Sequence, residues 1–556
     1  MPRTGQALRL ALFLVGGLIL LNMPATFADQ FPIVIEGAFA DWDEVPVAYS
    51  DATGDGGFVD FGRLWLADDP RFMFLRIEFG NEIDDGENNS IHIYLDTDAN
   101  AQTGLSIAGI GAELDWRLGS RAGTYYYQGQ SRSVDQADLR FRGGPTITST
   151  QFEFAFGRDT LPDGTHPLFL GPEVKIVIRD TAGGDQLPET GEVVSYTLDL
   201  GDLPPETVIP LEREHPSDLR FITYNVENDS PWSSGQEPRF GRQLAAVAPD
   251  IISFQEIYNH TPSQVAALVA AWVPLEAGQS WYAADVNDCP VVSRYPILDT
   301  WALDGNIAAL LDTTSIWNTP LLLINAHLPC CDNDSGRQNE IDRIMGFIRD
   351  AREPGGVLQL DENTPIVITG DMNLVGLAQQ VTTLLTGDIV NEGTYGPDFD
   401  PDWDGSPLTR LIFRQTEKRM GYTWRNDGSS YWPGHLDYVV YTDAILTAGN
   451  HFILYTPEMS PDRLSTYGLE SSDSEASDHL LTCADFRPPP THSTGDMNCD
   501  GQINAYDIDP FICALSPGCD YEGTYPDCDR LLADTNNDGD INAYDIDGFI
   551  ALVGGG

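Results

Sequence analysis

At 556 residues the chain is too long for one compact domain, because domains average roughly 150 residues, and a lone binding module is excluded. Its 30 Lys+Arg against 85 Asp+Glu give a formal net charge of -55 and a pI ≈ 4.1, which excludes attachment to nucleic acid or anionic membrane through bulk electrostatics. With 42% hydrophobic and 10% aromatic residues, the acidity belongs to the surface of folded domains and not to a disordered chain. Lys175 and Lys418 are the only lysines, so nearly every cation is an arginine, a pattern that suits a heavily hydrated surface in salty water.

The chain opens on an export signal over residues 1–28. Arg3 and Arg9 precede the apolar run 10–21, and Pro24 and the small residues ending at Ala28 supply a cleavage site. The run is too short to span a bilayer comfortably, which takes about 20 residues, although an uncleaved anchor remains the competing reading. Export makes the 8 cysteines disulfide candidates. Cys499, Cys513, Cys519 and Cys528 form one group and Cys289, Cys330, Cys331 and Cys483 another; pairing is expected within each group, with three connectivities open to each. Residues 31–200 alternate short apolar runs (72–77, 91–95, 152–156, 174–178) with Gly/Asp/Asn turns and predict an all-β sandwich. A proline-rich linker, 201–216, leads to residues 217–486, where strands at 219–224, 251–254, 321–326, 366–369 and 438–441 alternate with helices at 239–247 and 337–352, an α/β pattern. A second linker, 487–494, precedes a small segment, 495–556.

That last segment repeats itself. Asp496, Asn498, Asp500, Gly501, Gln502, Asn504 and Asp507 occupy positions 1, 3, 5, 6, 7, 9 and 12 of a loop, and Asp534, Asn536, Asp538, Gly539, Asp540, Asn542 and Asp545 repeat it 38 residues later. Alternating oxygen donors around a turning glycine are what Ca²⁺ requires. Each loop runs into an apolar stretch, INAYDIDPFICAL and INAYDIDGFIALV, and the pair resembles a type I dockerin, a small α-helical calcium module that plugs into a cohesin. A structural calcium clip without a cohesin partner is the alternative.

The α/β block carries polar residues at the ends of apolar strands, where such sheets place their sites: Asn225, Glu256, His327, Asp371, Asn373, Asp437, Asp478 and His479. Singly, each has a structural explanation as a turn cap, a solvated edge or a core histidine. Together, with SRYPI at 293–297, Arg337 and Glu340 after His327, and Thr423 and Trp424 before Asp437, they resemble the endonuclease/exonuclease/phosphatase superfamily. That superfamily includes deoxyribonuclease I-like nucleases, sphingomyelinases and inositol phosphatases, and the resemblance implies a four-layered α/β sandwich. It further implies that Glu256 holds Mg²⁺ or Mn²⁺ with Asn225 and Asp478 in support, and that Asp371 and Asn373 hold the attacking water and a phosphoryl oxygen. His479 would donate to the phosphate, oriented by Asp437. His327 would be the second imidazole of the pocket, and the sequence offers no identifiable carboxylate partner for it. Asp371 and Asn373, two apart on an extended segment, are expected to point the same way.

Substrate choice is less determined. This block carries 14 basic against 38 acidic residues and no basic stripe, which argues against nucleic acid, yet only charge near the groove matters once salt screens the rest, and Arg239, Arg242, Arg294, Arg337, Arg410 and Arg414 are available to gather there. A phospholipase would want an apolar docking hairpin; residues 301–317 are the one candidate and read better as a core hairpin. An inositol phosphatase would want more cations than this chain has. The expectation is a secreted, divalent-metal phosphodiesterase, foremost a nuclease. A phospholipase or phosphatase on the same fold, and a catalytically silent calcium-dependent adhesion or scaffold component, are the rivals. Adjacent Cys330 and Cys331 strain against pairing with each other, so bridges to Cys289 and Cys483 are expected, a thiolate metal site being the alternative. In the first block, DWDEVP at 41–46 and YLDTDANAQTG at 94–104 resemble family 9-type carbohydrate-binding modules. Asp96, Asp98 and Asn100 alternate as a Ca²⁺ loop would, and Trp65, Trp116 and Tyr125 to Tyr127 stand either as a sugar platform or as core.

Overall fold

The computed structural model describes residues 31–199, 207–488, 493–525, 528–536 and 538–554; the export signal at 1–28 and the parts of the two linkers at 201–206 and 489–492 lie outside the described residues. Among these residues the first block is an all-β sandwich. One sheet orders the strands Val47–Ser50, Phe61–Asp68, Phe72–Ile83, Ser149–Gly157 and Arg142–Gly144; the other orders Gln186–Leu187, Glu173–Asp180, Ile91–Asp96, Leu114–Arg117, Ala122–Tyr127 and Gln130–Val134, with Val194–Thr197 pairing Glu173–Asp180. The core between the sheets is rich in phenylalanine: Phe61, Phe79, Phe141, Phe152, Phe154 and Phe156 are all buried. Trp116 and Tyr125 also lie in it, at 0% and 1% exposure, and Trp65 is buried against the neighbouring domain. These three therefore offer no sugar platform.

Strand alternation explains what joins the sandwich to the α/β block. Successive strand residues face opposite ways, and here both faces are apolar: Leu64, Leu66, Met73 and Leu75 enter the sandwich core, whereas Trp65, Ala67, Phe72 and Phe74 point out of it. The outward face is covered by the α/β domain, where Phe413, Met420, Tyr422 and Tyr455 join the same cluster. Ile35 bridges Met420 in parallel, and Arg71 makes a two-pronged ion pair with Glu458 at 2.5 and 2.8 Å. In return Trp432 of the α/β domain enters the sandwich core. The two blocks share a continuous interior.

The α/β domain has four layers. One six-stranded sheet runs Tyr282–Ala284, Val291–Ser293, Ile251–Gln255, Leu219–Asn225, Thr482–Arg487, Thr447–Ile453; the other runs Ile297–Leu303, Asn306–Leu311, Leu321–His327, Ile366–Asp371, Asp437–Tyr441, Thr409–Arg410. Phe221, Ile251, Leu323, Val367, Val439 and Phe486 fill the space between them. The helices Glu237–Val247 and Pro262–Trp272 cover the first sheet through Leu244, Val265 and Val269, and Asp334–Arg352 and Ala378–Thr386 cover the second through Ile344, Ile348 and Leu384. Asn333 caps the third of these by accepting from Gly336 N. Residues 301–317 are the Ile297–Leu303 and Asn306–Leu311 hairpin and the turn after it, with Leu303, Ile307 and Trp317 buried, a core element as expected.

The structure overturns the expected bridges of the α/β domain: Cys289 and Cys483 are buried and unpaired, and Cys330 and Cys331 are exposed and unpaired. Cys289 sits between the sheets and Cys483 under the first helical layer, so neither reaches the loop at 330–331. In the C-terminal segment Cys499 pairs with Cys528 and Cys513 with Cys519. Its helices Ile508–Leu515 and Ile546–Gly554 stack Phe511 on Phe549 at 3.8 Å, residues that the 38-residue repeat makes equivalent. Among the described residues no helix is long and apolar enough to cross a membrane.

His435 lies at the seam between the sandwich and the α/β domain, 9% exposed, its Nδ1 donating to Gly421 O at 2.8 Å. Burial, with Arg410 adding to it, pushes its pKa down to about 3. The unfolded chain therefore takes up a proton below about pH 6.5 that the fold refuses, and the stabilisation present above that pH is lost as pH falls toward 3. For one group the slope reaches about 1.4 kcal/mol per pH unit. His435→Gln should make stability between pH 6.5 and 4 less steep by close to one proton, measured by denaturant titration; equal slopes would refute the assignment.

Candidate active site

Six strand ends and their loops meet at one rim of the two sheets. Asn225 and Asp371 end the parallel-paired strands of their respective sheets, and His327 stands directly opposite Asp371 in the register. Gly370 makes that pairing possible: at φ +142° its Hα faces Ala326 O, which an added Cβ would meet at 1.9 Å. Any side chain there would push Asp371 away from His327.

Asp371, 2% exposed, is the hub. Its Oδ2 accepts from Asn225 Nδ2 at 3.0 Å and lies 3.5 Å from His479 Nε2 and 3.7 Å from His327 Nε2; its Oδ1 accepts from Asn373 N at 3.1 Å. Asn225 also donates to Glu256 Oε1 at 3.0 Å. Glu256 has a left-handed backbone, φ +64°, and its Oε2 accepts from Asn228 N at 2.9 Å. A non-glycine residue held there is strained, a condition that clusters at functional sites. Asp437, fully buried, pairs its Oδ2 with His479 Nδ1 at 2.8 Å, while Thr423 Oγ1 accepts from the amides of Leu436 and Asp437 at 2.9 and 3.0 Å. Asp478 Oδ2 accepts from Trp424 Nε1 at 2.9 Å, and Ser477 Oγ ties this loop to Asn225 O at 2.8 Å.

One geometric expectation fails. The segment after Asp371 is not extended, because Asn373 is left-handed at φ +46° and its Nδ2 donates to Leu328 O at 3.0 Å. The bend still leaves both residues in the same pocket wall.

The missing partner of His327 is Asp288, whose Oδ2 lies 2.6 Å from His327 Nδ1 and also accepts from Glu256 N at 3.3 Å. Thus each imidazole has one nitrogen on a carboxylate and the other turned toward Asp371. Burial lowers the pKa of both rings, but Asp437 and Asp371 outweigh it at His479 and raise it to about 10. At His327, Asp288 and Asp371 likewise prevail, raising it to about 8. Both rings are thus biased toward the protonated form, and each turns its inward nitrogen to the buried Asp371, whose own carboxyl burial pushes up.

The pocket over these groups has a volume of about 600 Å³ and is lined by Glu256, His327, Asp371, Asn373, Asp478 and His479 among others. Of the six arginines available to gather there, five do not line the pocket. Arg239 donates to Ser472 O, Arg242 pairs with Asp473, Arg294 with Asp250, Arg410 stacks over Tyr438, and Arg414 donates to Thr207 O. Of the six, Arg337 alone lines the pocket, and its guanidinium is engaged by Pro329 O, Cys331 O and Asp334. The donors facing the reaction space are carboxylates, an amide and imidazoles, with Glu256, Asp371 and Asp478 converging. That oxygen-rich, negatively charged set fits a hard divalent cation.

The sandwich has a second cluster. Asp96 and Asp98 are joined by Glu113, their carboxylate oxygens within 4.8 Å of one another; Glu113 went unremarked in the sequence because it is 15 residues from Asp98. Burial and the two aspartates raise Glu113 to about 7. Asn100 contributes its amide N–H to Asp96 and Asp98, at 3.1 and 2.9 Å. In the C-terminal segment the two loops fold alike: Asp496 accepts from Asp500 N and Gly501 N, and Asp534 from Asp538 N and Gly539 N. Asp507 accepts from Asn504 N at 2.7 Å and Asp545 from Asn542 N at 2.8 Å.

Residues 222–479 match the model of the Endonuclease/Exonuclease/phosphatase family, and residues 494–551 match the Dockerin type I domain. Similar solved structures include an endonuclease/exonuclease/phosphatase from Bacteroides vulgatus (16% identity, 49% of this chain and 99% of that one, TM-score 0.31). ANGEL2, a 2′,3′-cyclic phosphatase, gives 14%, 52%, 99% and 0.34, and sphingomyelinase C from Streptomyces griseocarneus gives 15%, 48%, 99% and 0.29. No curated protein matches the sequence. The chain carries an endonuclease/exonuclease/phosphatase-family domain and a type I dockerin domain behind an all-β sandwich.

Proposed function

We propose that the protein is an exported, divalent-metal-dependent phosphodiesterase that acts on nucleic acid or its fragments. The observation that carries this reading is Asp371 Oδ2 lying 3.5 and 3.7 Å from the inward nitrogens of His479 and His327, beside Glu256. Hydrolysis of a phosphate ester needs a held water, donors at the equatorial oxygens and relief of charge on the leaving oxygen. Asp371, with Asn373 beside it, holds and polarises the water. His479, kept protonated by Asp437, donates through Nε2 to a phosphoryl oxygen, and His327, kept protonated by Asp288, does so from the other side. Glu256, with Asn225 and Asp478, would hold Mg²⁺ or Mn²⁺, which when bound supplies Lewis-acid neutralisation of the phosphate. The full-length protein should hydrolyse bis(p-nitrophenyl) phosphate with Mg²⁺ or Mn²⁺ and stop in EDTA; no turnover of any phosphate ester with either metal would remove the reading.

Calcium belongs elsewhere in this proposal. Asp496, Asn498, Asp500, Gln502, Asn504 and Asp507 would hold one ion and Asp534, Asn536, Asp538, Asp540, Asn542 and Asp545 a second, with a third at Asp96, Asp98 and Glu113 next to Asn100. Exposed Tyr506, Ile508 and Ile512 are repeated by Tyr544, Ile546 and Ile550, giving the C-terminal domain two copies of one apolar face for a cohesin. Attachment outside the cell follows from that partner, the paired cysteines and the signal-like start.

A further inference from the structure

Part of the pocket wall comes from the sandwich and not from the α/β domain. Asp84, Asp85, Glu87 and Arg121 of the sandwich line it together with Tyr431. This wall is built in advance. Asn89 Nδ2 donates to the carbonyls of Asp84, Asp85 and Glu87 at 2.8, 2.8 and 3.1 Å, Asp84 Oδ1 accepts from Gly86 N and Glu87 N, and Arg121 pairs with Glu87 at 2.9 Å. The shared core and the Gln136 Nε2 contact to Asn426 O at 3.3 Å hold the sandwich against the loop that carries Tyr431.

Two features of the wall select a substrate. Asp84 and Glu87 line the pocket with their carboxylates and oppose any phosphate chain continuing past it, whereas Asp85, 7% exposed and with its carboxyl pushed well above the usual range by burial, adds bulk to the wall and not charge. Arg121 lies over the Tyr431 ring at 4.0 Å, and Tyr431 is 41% exposed, leaving a flat face of the kind on which bases stack. A 600 Å³ pocket also falls in the range of roughly 300–1,000 Å³ that holds small ligands.

We propose that the sandwich is a specificity-determining wall of the catalytic pocket, which admits a phosphodiester at a single-strand end or in a nucleotide-sized ester, its base on the Arg121–Tyr431 stack, and shuts out the backbone of duplex nucleic acid. This rests on the phosphodiesterase reading above. The test uses the full-length protein with Mn²⁺ on thymidine 5′-(p-nitrophenyl phosphate), an end-labelled single-stranded oligonucleotide and covalently closed circular duplex DNA. The circle should be cut at least about a hundredfold less efficiently than the nucleotide ester, as charge and shape exclusion together allow. Release of nucleotides one at a time from the oligonucleotide would identify strand ends as the source, and cleavage of the ester alone would identify free nucleotide-sized diesters. Arg121→Ala and Tyr431→Ala should each raise KM for the nucleotide ester about tenfold while kcat moves less than about threefold, since each removes a stacking contact made alike in the ground and transition states. The exposed Tyr431 side chain can be removed without threatening the fold, which a thermal melt verifies. Nicking of the circle within tenfold of the ester, or unchanged KM in both variants, overturns the proposal; absence of all hydrolysis instead removes the phosphodiesterase reading.

Discussion

Glu256→Gln, Asp371→Asn and His479→Ala should each lower kcat on bis(p-nitrophenyl) phosphate by about a hundredfold or more, because each removes charge stabilisation or proton handling from one transition state. Asp371→Asn is the most informative. It keeps the shape of the hub but takes away the charge that both imidazoles face at 3.5 and 3.7 Å, so it should also lower the pKa of His327 and His479, which Asp371 helps to raise. The losses should not add in the triple variant, since groups acting as a unit are grossly non-additive. Asp288→Asn should cost less, because Asp288 orients His327 and does not face the reaction space. Folded variants with near-wild-type turnover would place the chemistry elsewhere.

The strand-end residues were legible because an apolar strand that stops at a buried polar residue is conspicuous: IISFQ before Glu256 and PIVITG before Asp371 each read as core followed by a charge. Asp288 was not, since it lies in a loop without periodicity and reaches His327 only because Val291–Ser293 pairs with Ile251–Gln255 and brings that loop to the rim. Whether the arginines gather at the groove was open in the sequence, and packing decides it: in a chain with 85 acidic residues, Arg242 and Arg294 find a carboxylate and Arg239 and Arg414 a carbonyl away from the pocket. The seam had a signal that went unused. In the Phe61–Asp68 and Phe72–Ile83 strands, apolar residues occupy both alternating sets, which marks strands buried on two sides. A sheet buried on two sides needs a second domain against it, and the wall of Asp84, Asp85 and Arg121 follows from that packing.

Removing calcium from the full-length protein should unfold the C-terminal domain and leave the rest intact. Its core is small, centred on Met497, Phe511, Ala514, Leu532 and Phe549, and domains of this size rely on metals or disulfides to offset chain entropy. The two disulfides constrain the unfolded chain but do nothing for the loop carboxylates. Asp507 and Asp545 are 0% exposed, Asp496 1% and Asp534 8%, and burying several like charges without a cation is strongly unfavourable. Metal binding and folding should therefore be one event. In EGTA, limited proteolysis should degrade residues beyond about 493 while a fragment holding the sandwich and the α/β domain persists, since an unfolded domain is cut and a folded one is spared. Asp507→Ala and Asp545→Ala should each reproduce half of the effect by disabling one loop. An identical digestion pattern and circular dichroism spectrum with and without EGTA would show that the disulfides and the Phe511–Phe549 stack suffice, and the calcium assignment would fall.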